Sequence, residues 1–442
     1  MFMKYSQFNS IIPFQEKYAL YNSFTQKTIF LEETLKDILV AATKEGVDDL
    51  QQIHPTFYQY LLEQEYLIDN TVDEIEKVKK ISKEVDENNS SFFLTINPSM
   101  NCNFKCWYCY ETHIKQSKLN DEMIEKINKF IVATANKDAI KYFSLSFFGG
   151  EPLLYFKRDV TPIIDCFAKE CRTKKTTFHI SFTTNGYLVN QEFIDYFKKN
   201  DLTCSLQITL DGYKEKHDLV RFVHAKKGSY DEIIHNIKLL VCNRFFVRLR
   251  VNYTDKNIED TYKISEDLTD IPQELKNEFL KFDYHRVWQN EQVDDTSITL
   301  DENVAIVRNN GFQVSGKYAP NNVKDSCYAD KRNSAVINYN GDLFKCTARD
   351  FTTAKRAGYL NELGELIWEN DYLNKRMNVK FNNKPCLKCR IMPLCNGGCS
   401  QHALEHLGGD DYCVYFGDEN EKDKVIKSKI EEILNELSTE KV

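Results

Sequence analysis

Ser91-Phe-Phe-Leu-Thr-Ile-Asn-Pro-Ser-Met-Asn-Cys-Asn-Phe-Lys-Cys-Trp-Tyr-Cys-Tyr110 decides how the rest of the chain is read. Its first part, Phe92–Asn97, is apolar and β-branched enough for a buried strand. The strand runs straight into Cys102, Cys106 and Cys109, a C-x3-C-x2-C loop. Three thiolates on one tight loop can hold three irons of a [4Fe–4S] cluster and leave the fourth iron open for chemistry. Structural or zinc-binding thiols are the alternative.

Working outward, strands and helices alternate from about 92 to 290. The strands are Phe92–Asn97, Tyr142–Phe148, Thr177–Thr183, Ser205–Leu210, Phe246–Tyr253 and Phe279–Trp288. Helical patterns lie between them at Asp121–Ala135, Thr161–Cys171, Gln191–Lys199, Tyr230–Val241 and Asn257–Leu268. Such βα repeats argue for an α/β fold with a parallel sheet, open or curled into a partial barrel. Ligands in these folds sit at the carboxyl ends of the strands, where the cysteine loop follows the first strand.

Other strand ends carry residues suited to a ligand. Phe148-Gly149-Gly150-Glu151-Pro152 follows the second strand. Its glycines admit close backbone approach, and the carboxylate can accept from an ammonium group. Thr183-Thr-Asn-Gly186 closes the third strand, and Thr209-Leu-Asp-Gly212 the fourth, with His217-Asp218 and Arg221 beyond. A plain Asp-Gly turn is the competing reading of the fourth.

Taken together, these motifs resemble the radical SAM superfamily, whose open iron binds S-adenosylmethionine (SAM). The resemblance implies a partial (β/α)6 barrel with Cys102, Cys106 and Cys109 as the catalytic cluster ligands. It assigns SAM contacts to Tyr108, Gly149, Gly150, Glu151, Asn185, Thr209 and Arg221. Glu151 would hold the amino group, Thr209 would lie near the ribose, and Arg221 would meet the carboxylate. In that family one electron splits the sulfonium, and the resulting 5′-deoxyadenosyl radical takes a hydrogen atom from the substrate.

A second group comprises Cys327, Cys346, Cys386, Cys389, Cys395, Cys399 and Cys413. Asn340-Gly341 between Ala335–Tyr339 and Asp342–Cys346 predicts a hairpin with a type I′ turn. A zinc ribbon is the structural rival. The order of these cysteines resembles the SPASM domain of radical SAM maturases, which implies two auxiliary clusters and so three [4Fe–4S] clusters in all. Cys386, Cys389, Cys395 and Cys413 would hold one; Cys327, Cys346 and Cys399 would hold the other, one cysteine short. The remaining thiols, Cys166, Cys171, Cys204 and Cys242, read as small buried hydrophobes.

Residues 1–88 form strand-like segments at Ile11–Phe14, Tyr18–Asn22 and Thr28–Leu31, then helices at Glu33–Thr43, Asp48–His54, Thr56–Glu63 and Asp73–Val85. This order resembles the winged-helix-like, PqqD-type element that binds leader peptides. That resemblance implies strand addition at an edge in Tyr18–Leu31, with a helix around Thr56–Tyr66 beside it. The expected division is 1–88 for recognition, 89–315 for the barrel, 316–417 for SPASM, and an amphipathic helix in 418–442. That helix carries Ile426, Ile430, Ile433, Leu434 and Leu437 on one face.

A net charge of −8 offers no basic excess for nucleic acid. No secretory signal and no apolar run of roughly 18 residues is evident, so a cytoplasmic chain without a membrane partner is expected. Fourteen cysteines in a reducing compartment then read as metal ligands.

The expected function is maturation of a ribosomally made precursor peptide by an intramolecular C–C, C–O or C–S crosslink. A flavodoxin- or ferredoxin-type protein would supply electrons. One alternative is an anaerobic sulfatase-type maturase forming formylglycine. Those resemble the chain in both cysteine groups but carry aspartate where Thr347 stands. The other is a non-catalytic iron–sulfur partner protein, which would have no use for an open SAM site.

Overall fold

The computed structural model describes residues 2–223, 227–289, 296–315, 322–406 and 412–439. The chain divides into two compact units. One comprises Asn89–Lys317 and Asn333–Tyr372; the other comprises Met1–Asn88, Tyr318–Arg332 and Leu373–Val442.

The first unit is built on one mixed α/β sheet. Its parallel strands are β1 (Ser91–Asn97), β2 (Tyr142–Phe147), β3 (Thr177–Thr184), β4 (Ser205–Leu210), β5 (Phe246–Tyr253), β6 (Leu280–Arg286) and β7 (Gln313–Ser315). They lie side by side in chain order, as successive crossover units require. The crossovers include α1 (Asp121–Ala135), α2 (Thr161–Lys174), α3 (Gln191–Lys199) and α4 (Tyr230–Cys242).

Local chemistry fixes these helices. Asn120 caps α1 by accepting from the Met123 N–H at 2.8 Å, and Asn190 caps α3 by accepting from the Phe193 N–H at 3.0 Å. Ile124, Ile127, Phe130 and Ile131 then form the buried stripe of α1. Alternate strand residues such as Leu94, Leu145, Phe182, Leu206 and Leu249 bury in the same core. Phe156, Phe182, Phe193 and Phe197 form an aromatic cluster there; such pairs contribute about 0.5–1.5 kcal/mol each beyond area burial.

The expected helix over Asn257–Leu268 is broken into a 3-10 turn at Ile258–Asp260 and a short helix at Lys263–Glu266. The Thr254 N–H donates to Asn257 Oδ1 at 2.6 Å, and the Thr261 and Ser265 hydroxyls donate to nearby carbonyls. Side chains that bond local backbone compete with a regular helix.

The sheet does not close through β1. Its outer side pairs in parallel with β8 (Ser334–Asn338), followed antiparallel by β9 (Asp342–Phe344), β10 (Gly358–Leu360) and β11 (Leu366–Trp368). The β8–β9 hairpin forms where expected, but its turn is not type I′. Gly341 has φ +84° while Asn340 is not among the positive-φ residues, and the Gly341 N–H donates to the Asn338 carbonyl at 2.8 Å. That is a type I turn ended by a left-handed glycine. Asn340 instead donates to Asp342 Oδ2 at 2.8 Å.

In the second unit, Asn9–Phe14, Lys17–Asn22 and Thr28–Leu31 form a three-stranded antiparallel sheet. Helices follow at Glu33–Glu45, Leu50–Ile53, Pro55–Glu63 and Glu74–Asp86. A pairing with no counterpart in the sequence reading joins Met3–Tyr5 to Leu67–Asp69. The edge expected in Tyr18–Leu31 is narrower than that stretch. Lys17–Asn22 is paired on both sides, leaving Thr28–Leu31 as its edge strand.

The expected separation of 1–88 from 316–417 and from the last helix is not what packs. Ile12, Phe14, Ala19 and Tyr21 share a core with Ile391, Leu394, Ile426 and Ile430. Phe8 and Val78 share another with Val323, Phe381 and Met392. Residues 333–372 go with the sheet because β8 takes the free side of β1. The last helix spans Glu419–Thr439; Ile426 and Ile430 are buried, Leu434 is 37% exposed, and the Leu437 side chain lies outside the described residues. Cys171 and Cys204 are buried and Cys166 partly so, but Cys242 is exposed. Among the described residues, no helix is long and apolar enough to cross a membrane.

Candidate active site

The cysteine loop is pinned at its base by two buried serines. Ser99 Oγ donates to the Ser117 carbonyl at 2.7 Å, and the Met100 N–H donates to Ser117 Oγ at 2.9 Å. Buried Phe104 anchors the loop edge-on against Tyr187. The Phe104 N–H donates to Cys102 Sγ at 3.4 Å, and the Cys109 N–H to the Cys106 carbonyl at 3.1 Å.

Gly149 and Gly150 fit against that loop. A Cβ on Gly150 would lie 2.3 Å from the Asn101 carbonyl oxygen, and one on Gly149 would lie 2.6 Å from Asn97 Cβ. Both glycines have positive φ. The Glu151 N–H then donates to the Asn101 carbonyl at 2.9 Å, joining the end of β2 to the loop.

Glu151 is almost wholly buried and accepts three hydrogen bonds from the protein. They come from the Leu153 N–H at 2.9 Å, the Thr184 hydroxyl at 2.7 Å and the Asn185 N–H at 2.8 Å. Burial raises its pKa against the pull of these donors. Asn185 Nδ2 donates to Asn103 Oδ1 at 2.8 Å and lies 4.0 Å from Cys102 Sγ.

A second network joins the loop to the ends of β4 and β5. The Tyr108 hydroxyl donates to Asp211 at 2.7 Å and accepts from Arg221 Nη2 at 2.7 Å and from Asn252 Nδ2 at 3.0 Å. Arg221 Nε also bonds Asp211. Burial disfavours the guanidinium charge, but Asp211 and its other neighbours outweigh that and raise the Arg221 pKa well above its ordinary value. His217 Nδ1 accepts from the Asp211 N–H at 3.2 Å, and burial pushes its pKa down to about 3, so the ring is neutral. Thr209 is buried, with its Cα opposite that of Arg250 on β5.

Sequence reasoning missed Glu111 and Asn252 as site residues, and it quoted Asp211 and His217 in the strand-end motif without giving them a role. Glu111 accepts from the Gly150 N–H at 2.7 Å, and its pKa is pushed up to about 7, first by burial and then by Asp350 and Glu151. Its place two residues after Cys109 was the available signal.

Burial pushes the thiols up as well, Cys102 to about 12 and Cys109 to about 11. A coordinating metal deprotonates such thiols outright. Among the described residues, no three His, Cys, Asp or Glu side chains converge on the spacing of a single metal ion. Thiolates around one zinc lie within about 4 Å of each other, whereas a cluster takes one thiolate per iron. Asn97 offers both side-chain polar atoms buried and without a protein partner, and Asn103 Nδ2 is likewise unpartnered. These orphaned groups beside Gly149 and Cys102 fit a polar ligand at this place.

In the other unit, Cys386, Cys389, Cys395 and Cys413 line one cavity with Met392 and Tyr412. Burial raises Cys386 to about 11 and Cys395 to about 12, while nearly buried Lys422 works in the opposite direction on Cys386 and Cys389. The Cys399 N–H donates to the Tyr412 hydroxyl at 3.0 Å. Cys327 and Cys399 are exposed and belong to this unit; Cys346 is partly buried, just beyond β9 in the sheet-bearing unit.

A parallel sheet with a three-thiol loop at the carboxyl end of its first strand defines the class, and residues 96–267 match the model of the Radical SAM superfamily. Over that stretch the chain is similar to radical SAM domains, whose family chemistry uses SAM and a [4Fe–4S] cluster. Among curated relatives, it is 33% identical over 182 residues to a cysteine-type anaerobic sulfatase-maturating enzyme of Clostridium novyi, covering 39% of this chain and 47% of that one. It is 24% identical over 383 residues to the radical SAM cyclopropyl synthase TigE of Paramaledivibacter caminithermalis, covering 76% and 74%. The chain spans less than half the length of the first curated relatives it matches. The crystal structure of Streptococcus suis SuiB bound to precursor peptide SuiA has the same fold, with TM-score 0.50 and 18% identity over 90% of this chain and 95% of that one.

Proposed function

We propose that the chain is a radical SAM maturase of a ribosomally made peptide, forming an intramolecular C–C, C–O or C–S bond. The observation that carries this reading is the convergence of Cys102, Cys106 and Cys109 with Glu151, Asn185, Tyr108 and Arg221 through the two hydrogen-bond networks at the ends of β1 to β5. A [4Fe–4S] cluster on the three thiolates, with SAM on the open iron, supplies one-electron sulfonium cleavage and hydrogen-atom abstraction.

The protein's own residues bind and orient. Arg221, held between Asp211 and Tyr108, presents a fixed guanidinium to a carboxylate. Glu151 ties β2, β3 and the cysteine loop together, adding its negative field for an ammonium group. Asn97 supplies an uncommitted donor and acceptor beside Gly149. Thr209 offers a hydroxyl at the end of β4.

The four thiols around one cavity support an auxiliary cluster on Cys386, Cys389, Cys395 and Cys413. The SPASM resemblance adds another on Cys327, Cys346 and Cys399. Thr28–Leu31 offers an edge for a leader peptide, and SuiB's complex with SuiA favours a peptide substrate. Electrons would come from a flavodoxin- or ferredoxin-type donor.

Anaerobic reconstitution, iron counting and assay of 5′-deoxyadenosine with dithionite test the proposal. Three four-iron clusters require about twelve irons per chain. Replacing Cys102, Cys106 and Cys109 with Ala should abolish 5′-deoxyadenosine while C-terminal iron remains; undiminished cleavage overturns the site. The Clostridium novyi relative keeps formylglycine formation as a second reading. Product mass separates them, because a crosslink retains substrate sulfur and formylglycine formation from cysteine loses it.

A further inference from the structure

β5 and β6 alternate between two chemistries. Val247, Leu249 and Val251 on β5, with Phe282 on β6, bury in the core shared with the helices. The intervening positions are Arg248, Arg250 and Asn252 on β5, and Lys281, Asp283 and His285 on β6. By strand alternation these six share the other face.

The register sets them in rungs. Arg248 lies between Gln207 and Lys281, with Gln313 next. Arg250 lies between Thr209 and Asp283, with Ser315 next. Asn252 lies beside His285. Arg248, Arg250 and Lys281 thus face a single carboxylate on these rungs, Asp283.

Asp283 is already engaged. It accepts from His285 Nε2 at 3.0 Å. Burial acts to raise its pKa, but His285, Arg248 and Arg250 together hold it below the usual carboxylate range. Arg250 donates through Nε to Asn252 Oδ1 at 3.0 Å, and Asn252 donates to the Tyr108 hydroxyl at 3.0 Å. The cationic rungs therefore sit one side chain away from the cysteine loop. Among the described residues, Arg248, Arg250 and Lys281 form no close ion pair that would absorb the surplus. Residues two apart on one face have Cα atoms about 7 Å apart, a separation that two long arginine side chains can bridge by forked hydrogen bonds to one carboxylate.

Resting on the maturase reading above, we propose that this face binds a carboxylate of the peptide substrate, either an acidic side chain or the C-terminus, through Arg248 and Arg250. A peptide anchored here places its neighbouring residues beside Tyr108 and Thr209, the part of the sheet nearest the reaction. The device selects peptides with an acidic group close to the modified position.

The test uses the reconstituted full chain with SAM and four short synthetic peptides in equilibrium dialysis. Three are end-blocked and differ only in a central Asp, Glu or Asn; the fourth is neutral with a free C-terminal carboxylate. Retention of a carboxylate peptide over the Asn peptide is expected on the order of tenfold. Which peptides are retained distinguishes side chain from terminus. Arg248→Gln combined with Arg250→Gln should bring the ratio near one, and Arg250→Lys should retain part of it. Equal retention of all four peptides by the unmodified protein overturns the proposal, as does a preference that survives the double substitution. The first of these outcomes does not depend on any variant folding. 5′-Deoxyadenosine release is assayed in parallel. Its absence would remove the maturase reading while leaving the carboxylate preference standing or falling on its own result.

Discussion

The Tyr108 hydroxyl holds Arg221, Asp211 and Asn252 in one arrangement, so its loss leaves buried charged groups short of a partner. Tyr108→Phe keeps the ring and removes only that oxygen. SAM retention should fall about tenfold, the scale of a hydrogen bond to a charged group, with iron content unchanged. Equilibrium dialysis with labelled SAM measures it. Gly150 makes a harder demand, because φ +49° and a Cβ position 2.3 Å from the Asn101 oxygen both oppose a side chain. Gly150→Ala should cost about 1–3 kcal/mol in thermal melting and lower iron loading at Cys102, Cys106 and Cys109. The cysteines were legible because three thiols at fixed spacing carry their own chemistry. Glu151 was legible as a carboxylate, but not as a strut, since two of its three donors, Thr184 and Asn185, lie at the end of β3, 33 and 34 positions away. Asn252 joins the site only through tertiary contact with Tyr108, and no local pattern announces that.

At the scale of elements, the six strands from β1 to β6 were readable because each is a short apolar run between helical periods. What failed was polar: Asn257, Thr261 and Ser265 turned their side chains on the backbone and broke a helix that its apolar spacing promised. β8 was readable as half of a hairpin, yet its parallel partner β1 was not, because register across the chain leaves no local trace. The Thr28–Leu31 strand yields a prediction of its own. Phe30 on this edge is 41% exposed, so a charge is tolerated there by the fold and opposes strand addition. Phe30→Lys should weaken binding of the cognate leader peptide about tenfold or more while leaving SAM cleavage without peptide intact. Fluorescence anisotropy of a labelled leader gives the first quantity and 5′-deoxyadenosine the second. Undiminished binding would make the sheet a structural cap.

At the scale of the molecule, residues 1–88 cannot be treated as a detachable module. Ile12, Phe14, Ala19 and Tyr21 cover Ile391, Leu394, Ile426 and Ile430. Deleting 1–88 exposes that apolar surface next to Cys389 and Cys395, which pack against the same core. The truncated chain should lose iron from the Cys386, Cys389, Cys395 and Cys413 set, about four irons fewer than the full chain, while the radical SAM loop keeps its own. Iron analysis beside a melting curve decides this. Full C-terminal loading would mean that the core is dispensable. Composition and periodicity marked 1–88 as distinct because its helices are self-contained in pattern; the shared core depends on residues hundreds of positions away and left no local signature.

The same interleaving sets an order of manufacture. The strand Asn9–Phe14 leaves the ribosome early, but its packing partner Glu419–Thr439 emerges only after the whole parallel sheet has been translated. Domains generally fold as units during synthesis, so the sheet-bearing body can mature first while the early strands stay incompletely covered. Loading of the thiols at 386–413 then waits until Glu419–Thr439 has emerged, and a cell short of iron would accumulate chains whose two bodies have reached different stages of completion.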